Sequence, residues 1–382
     1  MENNKFQYIL SGIWFATLSY ICFGYGTGDN YTAAPLFICI SLVILYIYGS
    51  NLSAVIKPLS SLSILYVITS IGYLLNPTSS SISYIQYLCY SLTGCMTAIV
   101  AFCLVKKNSR MLKVFAYMML SFFVVGIFRF FKEQSLLQSF YAITSFYFLL
   151  FPLPIILCCT NKKSFHILIL STTIIFCVLS LKRSALIASI LLLVMYLFLV
   201  AKSSAKHFIY IGVLLLIMIV VASKYLQNTD FFEYSSRLFD RLENIDEDKG
   251  SGRGDVIELF FKNDIYDLID FPDILIGRGY EAYHRQHLNL AAAHNDFIEI
   301  IYSSGLLGLI CLCRFFYLIY KKSAFLSSNN SELTVPYASA TFLFFFYAFA
   351  SSNFYFYYLS IPLFLTIGAF EGYLYSTNKI YQ

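Results

Sequence analysis

Apolar residues run along this chain in blocks, separated by short clusters of charged or turn-forming residues. A block of ~20 apolar residues is what a helix needs to cross the ~30 Å hydrocarbon core of a bilayer. The breaks predict twelve helices, roughly at 6–23, 33–49, 59–75, 84–105, 111–128, 139–159, 165–181, 184–201, 207–223, 296–320, 335–351 and 355–375. The stretch 59–75 is the least apolar of these, being rich in serine. Continuous blocks do not alternate as the strands of a membrane barrel do. The expected fold class is therefore all-α, a polytopic helical membrane protein with about twelve transmembrane helices. The organisation divides into spans one to nine over 1–223, a polar segment over 224–293, and spans ten to twelve over 294–382. Within the polar segment, Asp255–Lys262 and Asp264–Phe271 place Val256, Leu259 and Phe260, then Ile265, Leu268 and Ile269, at helical spacing. They read as short amphipathic helices.

Composition sharpens the picture. Of the 382 residues 59% are hydrophobic and 12% charged, with mean hydropathy +0.70; a soluble domain carries about 45–50% and about 25%. A water-soluble enzyme and a nucleic-acid module are excluded, so no nucleic-acid partner is expected. The ten cysteines all lie inside or at the edge of apolar blocks, with no C-x-x-C pair, and read as buried thiols. The stretch Phe6–Phe23 has only Lys5 as a basic flank and no small-x-small cleavage site, so it reads as the first span.

Charge sets the orientation. With the N-terminus in the cytoplasm, the inner connections collect thirteen lysines and arginines, among them Lys57, Lys106, Lys107, Lys162, Lys163, Lys321 and Lys322. The short outer connections hold four: Arg129, Lys132, Lys182 and Arg183. Both termini should then be cytoplasmic, and 224–293 becomes a large outer loop between spans nine and ten. That loop holds 14 of the 21 acidic and 8 of the 26 basic residues, a net charge of −6.

The outer basic residues are the first candidates for chemistry. Lys182 and Arg183 lie at a tight turn against the membrane, where ionisable groups often mark a functional site. They either snorkel to lipid headgroups or grip an anionic ligand, most plausibly a diphosphate, which guanidinium forks match. Arg129 and Lys132, beside Glu133, fit headgroup contact or local pairing. Ser251-Gly252-Arg253-Gly254-Asp255 and Gly277-Arg278-Gly279 each present an arginine between glycines, which suits a plain turn or a close approach to a ligand. Ala293-His294-Asn295-Asp296-Phe297-Ile298-Glu299, followed by Gly305 and Gly308, lies where the loop re-enters the membrane. Asn295 or Asp296 can cap a helix there, and Asp296 with Glu299 has capping-box spacing. His294 at a helix N-terminus can donate to a phosphate or act as a base. The glycines at 305 and 308 suit close helix packing. His284 and His287 lack supporting ligands, and no carboxylate cluster suggests a divalent metal, so neither a metal nor a cofactor is expected.

Taken together, these residues resemble the O-antigen polymerase (Wzy) and O-antigen ligase superfamily. The resemblance rests on Lys182-Arg183-Ser184-Ala185-Leu186, Ser251-Gly252-Arg253, Ile276-Gly277-Arg278-Gly279, and Ala293-His294-Asn295-Asp296-Phe297 through Gly305 and Gly308, over roughly 180–310. The chain departs from the family at Ile257, where a tryptophan often follows the loop arginine. The resemblance implies a membrane glycosyltransferase in the bacterial inner membrane. Its donor would be an undecaprenyl-diphosphate-linked oligosaccharide, and a chain-length regulator protein is a possible partner beside membrane lipid. Arg183, Arg253 and His294 take the family's arginine and histidine positions. Lys182, Arg183, Arg253, Arg278 and Asn295 would bind the diphosphate, and His294 or Glu299 would act as base. A polymerase is the first expectation and a ligase acting on lipid A–core the second. A flippase or other transporter would show polar residues through many spans and internal symmetry, and neither is visible.

Overall fold

The computed structural model describes residues 2–24, 33–49, 57–76, 81–136, 145–180, 182–200, 253–264, 272–279, 282–283, 295–329, 331–350 and 357–377. The described residues are helical, with no strand among them. Ten long helices follow the hydropathy blocks: α1 (Glu2–Gly24), α2 (Ala33–Tyr48), α3 (Lys57–Leu75), α4 (Ser81–Lys107), α5 (Met111–Leu136), α8 (Lys163–Leu179), α9 (Arg183–Val200), α12 (Asp296–Ser328), α13 (Thr334–Ala350) and α14 (Tyr357–Ser376). Four are long and apolar enough to cross a membrane, over Lys5–Phe23, Pro58–Leu75, Met111–Glu133 and Asp296–Ser328; α2, α8, α9 and α13 are apolar but shorter. The protein is thus a multi-pass helical membrane protein. The ninth expected span, 207–223, lies outside the described residues.

The sixth stretch departs from expectation. From residue 145 it is not one continuous helix but two short turns, α6 (Tyr147–Leu150) and α7 (Leu153–Ile156), with every residue of both buried. Pro152 and Pro154 account for the interruption, since proline removes an amide donor from the ladder and clashes with the preceding turn. Irregular backbone of this kind survives in a bilayer only where protein surrounds it. The opposite holds for α3, whose serines and threonine turn back on their own helix. Ser63 Oγ donates to the Leu59 carbonyl (2.9 Å), Thr69 Oγ1 to Leu65 (2.9 Å) and Ser70 Oγ to Tyr66 (2.8 Å). Each hydroxyl is satisfied without water, so a serine-rich helix can lie in an apolar bundle.

Packing is closest between α4 and α14. Gly368 and Gly372 stand four apart on α14, and a Cβ at either would strike the backbone of Ala98 or Phe102. This small-x-x-x-small spacing is what lets two membrane helices approach without a hydrophobic drive between them.

The two ends of the bundle differ in chemistry. At one end, Gln7 Nε2 donates to the Leu104 carbonyl (3.0 Å) and Asn108 Nδ2 to Tyr8 Oη (3.3 Å). Lys106 lies 4.4 Å from the Tyr375 ring, Lys322 pairs with Glu371 (2.8 Å), and Tyr373 donates to Glu332 (2.5 Å). These contacts gather the start of α1, the end of α4 and the α12–α14 termini with their lysines. The nine cysteines whose side chains are described are free thiols.

Candidate functional site

At the other end, the first turns of α12 receive most of what remains of the loop. Asn295 has extended backbone (φ −148°, ψ 115°), and its Oδ1 accepts from the amides of Phe297 (2.9 Å) and Ile298 (3.3 Å). Asn295 is therefore the cap, and Asp296 is already the first helical residue. The alternative, a capping box from Asp296 to Glu299, is not made. Asp296 and Glu299 are both buried, at 0% and 4% exposure, in the turn where the helix dipole favours negative charge.

Two turns on, α12 breaks. Gly305 has φ 60° and ψ −161°, outside the helical region and inside one that glycine alone readily adopts. In a regular helix the carbonyls of Tyr302 and Ser303 would accept from residues 306 and 307. Here they accept from outside the helix: Arg278 N donates to Tyr302 O (2.8 Å) and Gly279 N to Ser303 O (3.0 Å). The donors belong to a short loop that begins with α11 (Asp273–Ile276) and ends at Gly279. Gly277 and Gly279 also have positive φ, 76° and 85°. A Cβ at Gly277 would meet the backbone of Ser303–Gly305, one at Gly279 would meet Tyr73, and one at Gly72 of α3 would lie 2.9 Å from Gly277 O. The glycines read from sequence as a turn or a ligand approach are thus used for backbone-on-backbone packing. Thr69 and Ser304 hydroxyls, 2.5 Å apart, tie α3 to the same kink.

This docking fixes Arg278. Its amide is held by Tyr302, and its Nε donates to Asp273 Oδ2 at 2.7 Å, in a pair whose side chains are 26% and 17% exposed. Asp273 was not singled out in the sequence, because a five-residue spacing across a broken turn carries no periodic signal.

Arg253 opens α10 (Arg253–Leu259), which widens into a π-turn over Phe260–Asp264. Val256 and Phe260 are buried with Ala282, Tyr283, Ile298 and Tyr302 in a small apolar cluster, with the Tyr283 and Tyr302 rings edge to face at 5.1 Å. The amphipathic face expected over Asp255–Lys262 is present in Val256 and Phe260. Leu259 is only half-buried. The second expected helix, with Ile265, Leu268 and Ile269, lies outside the described residues.

The segments carrying Arg253, Arg278, Asn295 and Glu299 therefore converge on the first two turns of α12. Lys182 stands just before α9, its carbonyl accepting from Ala185 N and Leu186 N (both 3.1 Å), and α9 packs along α13. The side chains of Arg183 and Arg253, and the whole of His294, lie outside the described residues. Arg129 sits 5.3 Å over the Phe148 ring, and Glu133 Oε2 accepts from Ser145 N at 3.1 Å.

The positions expected to form the site, from Lys182 to Glu299, fall within one match. Residues 168–313 match the family model described as O-antigen ligase. Over that stretch, which is less than half of the chain, the protein is similar to the O-antigen ligase family. This is the superfamily that the residues at 180–310 resemble, and the matched stretch contains every residue expected to form the site. No curated protein matches the chain. A domain of this family supports ligase- or polymerase-type function in general, in keeping with the multi-pass helical fold.

Proposed function

We propose that the protein is an O-antigen (surface polysaccharide) polymerase. It transfers undecaprenyl-diphosphate-linked glycan onto a second lipid-linked repeat unit at the outer face of the bacterial inner membrane. The carrying observation is the family match over 168–313, within which the loop segments of Arg253 and Arg278 pack on the turns that follow His294. The leaving group of such a transfer is already a diphosphate. Lys182, Arg183, Arg253 and Arg278 would surround it, stabilising charge as it develops. His294 or Glu299 would take the proton of the attacking sugar hydroxyl. On this reading the reaction needs no metal, the basic end of the bundle with both termini is cytoplasmic, and twelve spans frame a periplasmic loop at 224–293. A chain-length regulator would act as partner.

Ligation to lipid A–core is the second reading, favoured by the description of the matching family model. Both activities need the same diphosphate grip and differ in acceptor. The test is the surface glycan of a strain lacking the protein. A polymerase predicts lipid A–core carrying one repeat unit and no ladder. A bare core, with long polymer held on the lipid carrier, would overturn polymerase in favour of ligase. In the same strain, Arg183→Ala, Arg253→Ala and His294→Ala should each fail to restore transfer while accumulating in the membrane. Near-normal activity in all three would remove the diphosphate site.

A further inference from the structure

The second half of α13 carries an open cleft that the site described above does not use. Phe342, Phe345, Phe346 and Phe349, with Ala350, line about 330 Å³. The four rings stand at i, i+3, i+4 and i+7, so they form one stripe along the helix. Phe345 and Phe349 are 50% and 51% exposed. The stripe is roughly 10 Å long at 1.5 Å per residue, against ~15 Å for one leaflet of the hydrocarbon core. An occupant lying along it would thus stay within one leaflet.

The rings of the cleft pack on the helix that opens the candidate site. Phe349 packs on Phe297 at 4.6 Å between centroids, and Phe345 packs on Phe316 at 5.4 Å. Phe297 is two residues beyond the Asn295 cap and lies in the first turn of α12. α13 begins beside the Glu332–Tyr373 contact at the lysine-rich end and runs away from it. The cleft therefore opens at the end of the bundle where Arg278 and the α12 N-terminus lie. A hydrocarbon chain seated in it would deliver whatever head group it carries to those residues.

We propose that this cleft holds the isoprene units nearest the diphosphate of a polyprenyl-linked donor, a proposal that rests on the glycan-transfer reading above. Each isoprene unit carries a methyl branch and a double bond. The branches fill the gaps between rings spaced three and four residues apart, and the double bonds offer π density to the positive ring edges. A linear saturated acyl chain offers neither. The cleft thus selects the carrier lipid and sets the depth of its diphosphate.

The test uses the full-length protein in nanodiscs of phosphatidylethanolamine and phosphatidylglycerol. The probe is a photoreactive polyprenyl diphosphate without sugar, followed by peptide mapping. Label should concentrate on residues 342–350 and on Phe297, and unlabelled undecaprenyl diphosphate should compete it away. Phe345→Ala/Phe349→Ala should reduce labelling there at least tenfold. It should also lower, by tenfold or more, the ratio of kcat/KM for a polyprenyl-linked donor to that for a donor on a linear saturated chain of equal length. Phe345→Leu, which keeps apolar volume but removes a ring, should fall between. Phe128→Ala, at an exposed position on α5, should leave the ratio as it was. Label spread evenly over exposed helices, or displaced by excess phospholipid, would show ordinary boundary lipid and overturn the proposal. An unmodified protein that transfers glycan from no donor would instead sink the glycan-transfer reading, while the labelling result would stand on its own.

Discussion

Replacing Gly305 by alanine tests the central feature of the site, the exchange of a helix's own hydrogen bonds for those of a loop. At φ 60° and ψ −161° an alanine costs about 1–3 kcal/mol in backbone strain. Its Cβ would also strike the Leu275 carbonyl and lie 2.7 Å from Ile276 N. Both penalties vanish if α12 straightens and Tyr302 and Ser303 take donors from their own helix. The loop must then leave, giving up the bonds from Arg278 N and Gly279 N, each worth about 0.5–1.5 kcal/mol net. The cheaper course is undocking, and the opening free energy of the loop should fall by about 2 kcal/mol or more. At 1.4 kcal/mol per tenfold, the Arg278 and Gly279 amides should exchange about thirtyfold faster, measured by hydrogen exchange on protein in nanodiscs. Glycan transfer should be lost with the placement of Arg278. Gly12→Ala is the control: a Cβ there meets nothing within 4 Å, and alanine inside a helix gains up to about 1 kcal/mol. Unchanged protection of the two amides in Gly305→Ala would falsify the docking argument, because the strain would then have been absorbed elsewhere.

Other substitutions follow the same logic. Asn295→Ala removes the α12 cap and should lower stability by about 0.5–2 kcal/mol, seen as a fall in Tm in detergent, with Asn295→Ser restoring most of it. Lys322→Ala leaves the buried Glu371 without its cation and should cost about 3–5 kcal/mol, whereas Lys322→Met with Glu371→Leu and Tyr337→Phe, which also removes the buried hydroxyl that donates to Glu371, should recover most of that loss; equal losses in the single and triple variants would contradict this. A reporter active only outside the cytoplasm should work when fused near Gly250 and fail near Asn108, and the reverse would invert the proposed topology.

Hydropathy located the ten long helices because bilayer thickness, rather than tertiary contact, sets their length. Within 139–159 it found the apolar helical stretch at Tyr147–Ile156 but missed its interruption, because block averaging overlooked Pro152 and Pro154. It undervalued α3, since a hydropathy scale counts serine as polar whether or not its hydroxyl returns to the carbonyl four residues back. The cap of α12 was legible as a choice between two residues, and tertiary structure decided it: Asn295 is extended, leaving Asp296 inside the helix. The convergence of the Arg253 and Arg278 segments on Tyr302 was not legible, because it depends on two carbonyls released by a kink. Glycines 277, 279 and 305 were visible as special positions. That they meet one another, together with Gly72 on α3, is a fact of packing across more than 200 residues of sequence.

The cap also changes how the site must handle negative charge. A bare helix N-terminus binds anions through its free amides and its dipole. In α12 the Phe297 and Ile298 amides are already occupied by Asn295 Oδ1, and Asp296 and Glu299 place two carboxyl groups in the same turn. The helix end has therefore spent its attraction on its own side chains. If a diphosphate is bound here, its charge must be met by side chains that arrive from elsewhere. The geometry of the loop suits that need: Arg278 is held at its amide and at Nε, so its orientation is set before any ligand arrives. A guanidinium fixed in this way loses little rotamer freedom on binding. Asp273, which orients it, then matters as much to the grip as the arginine itself.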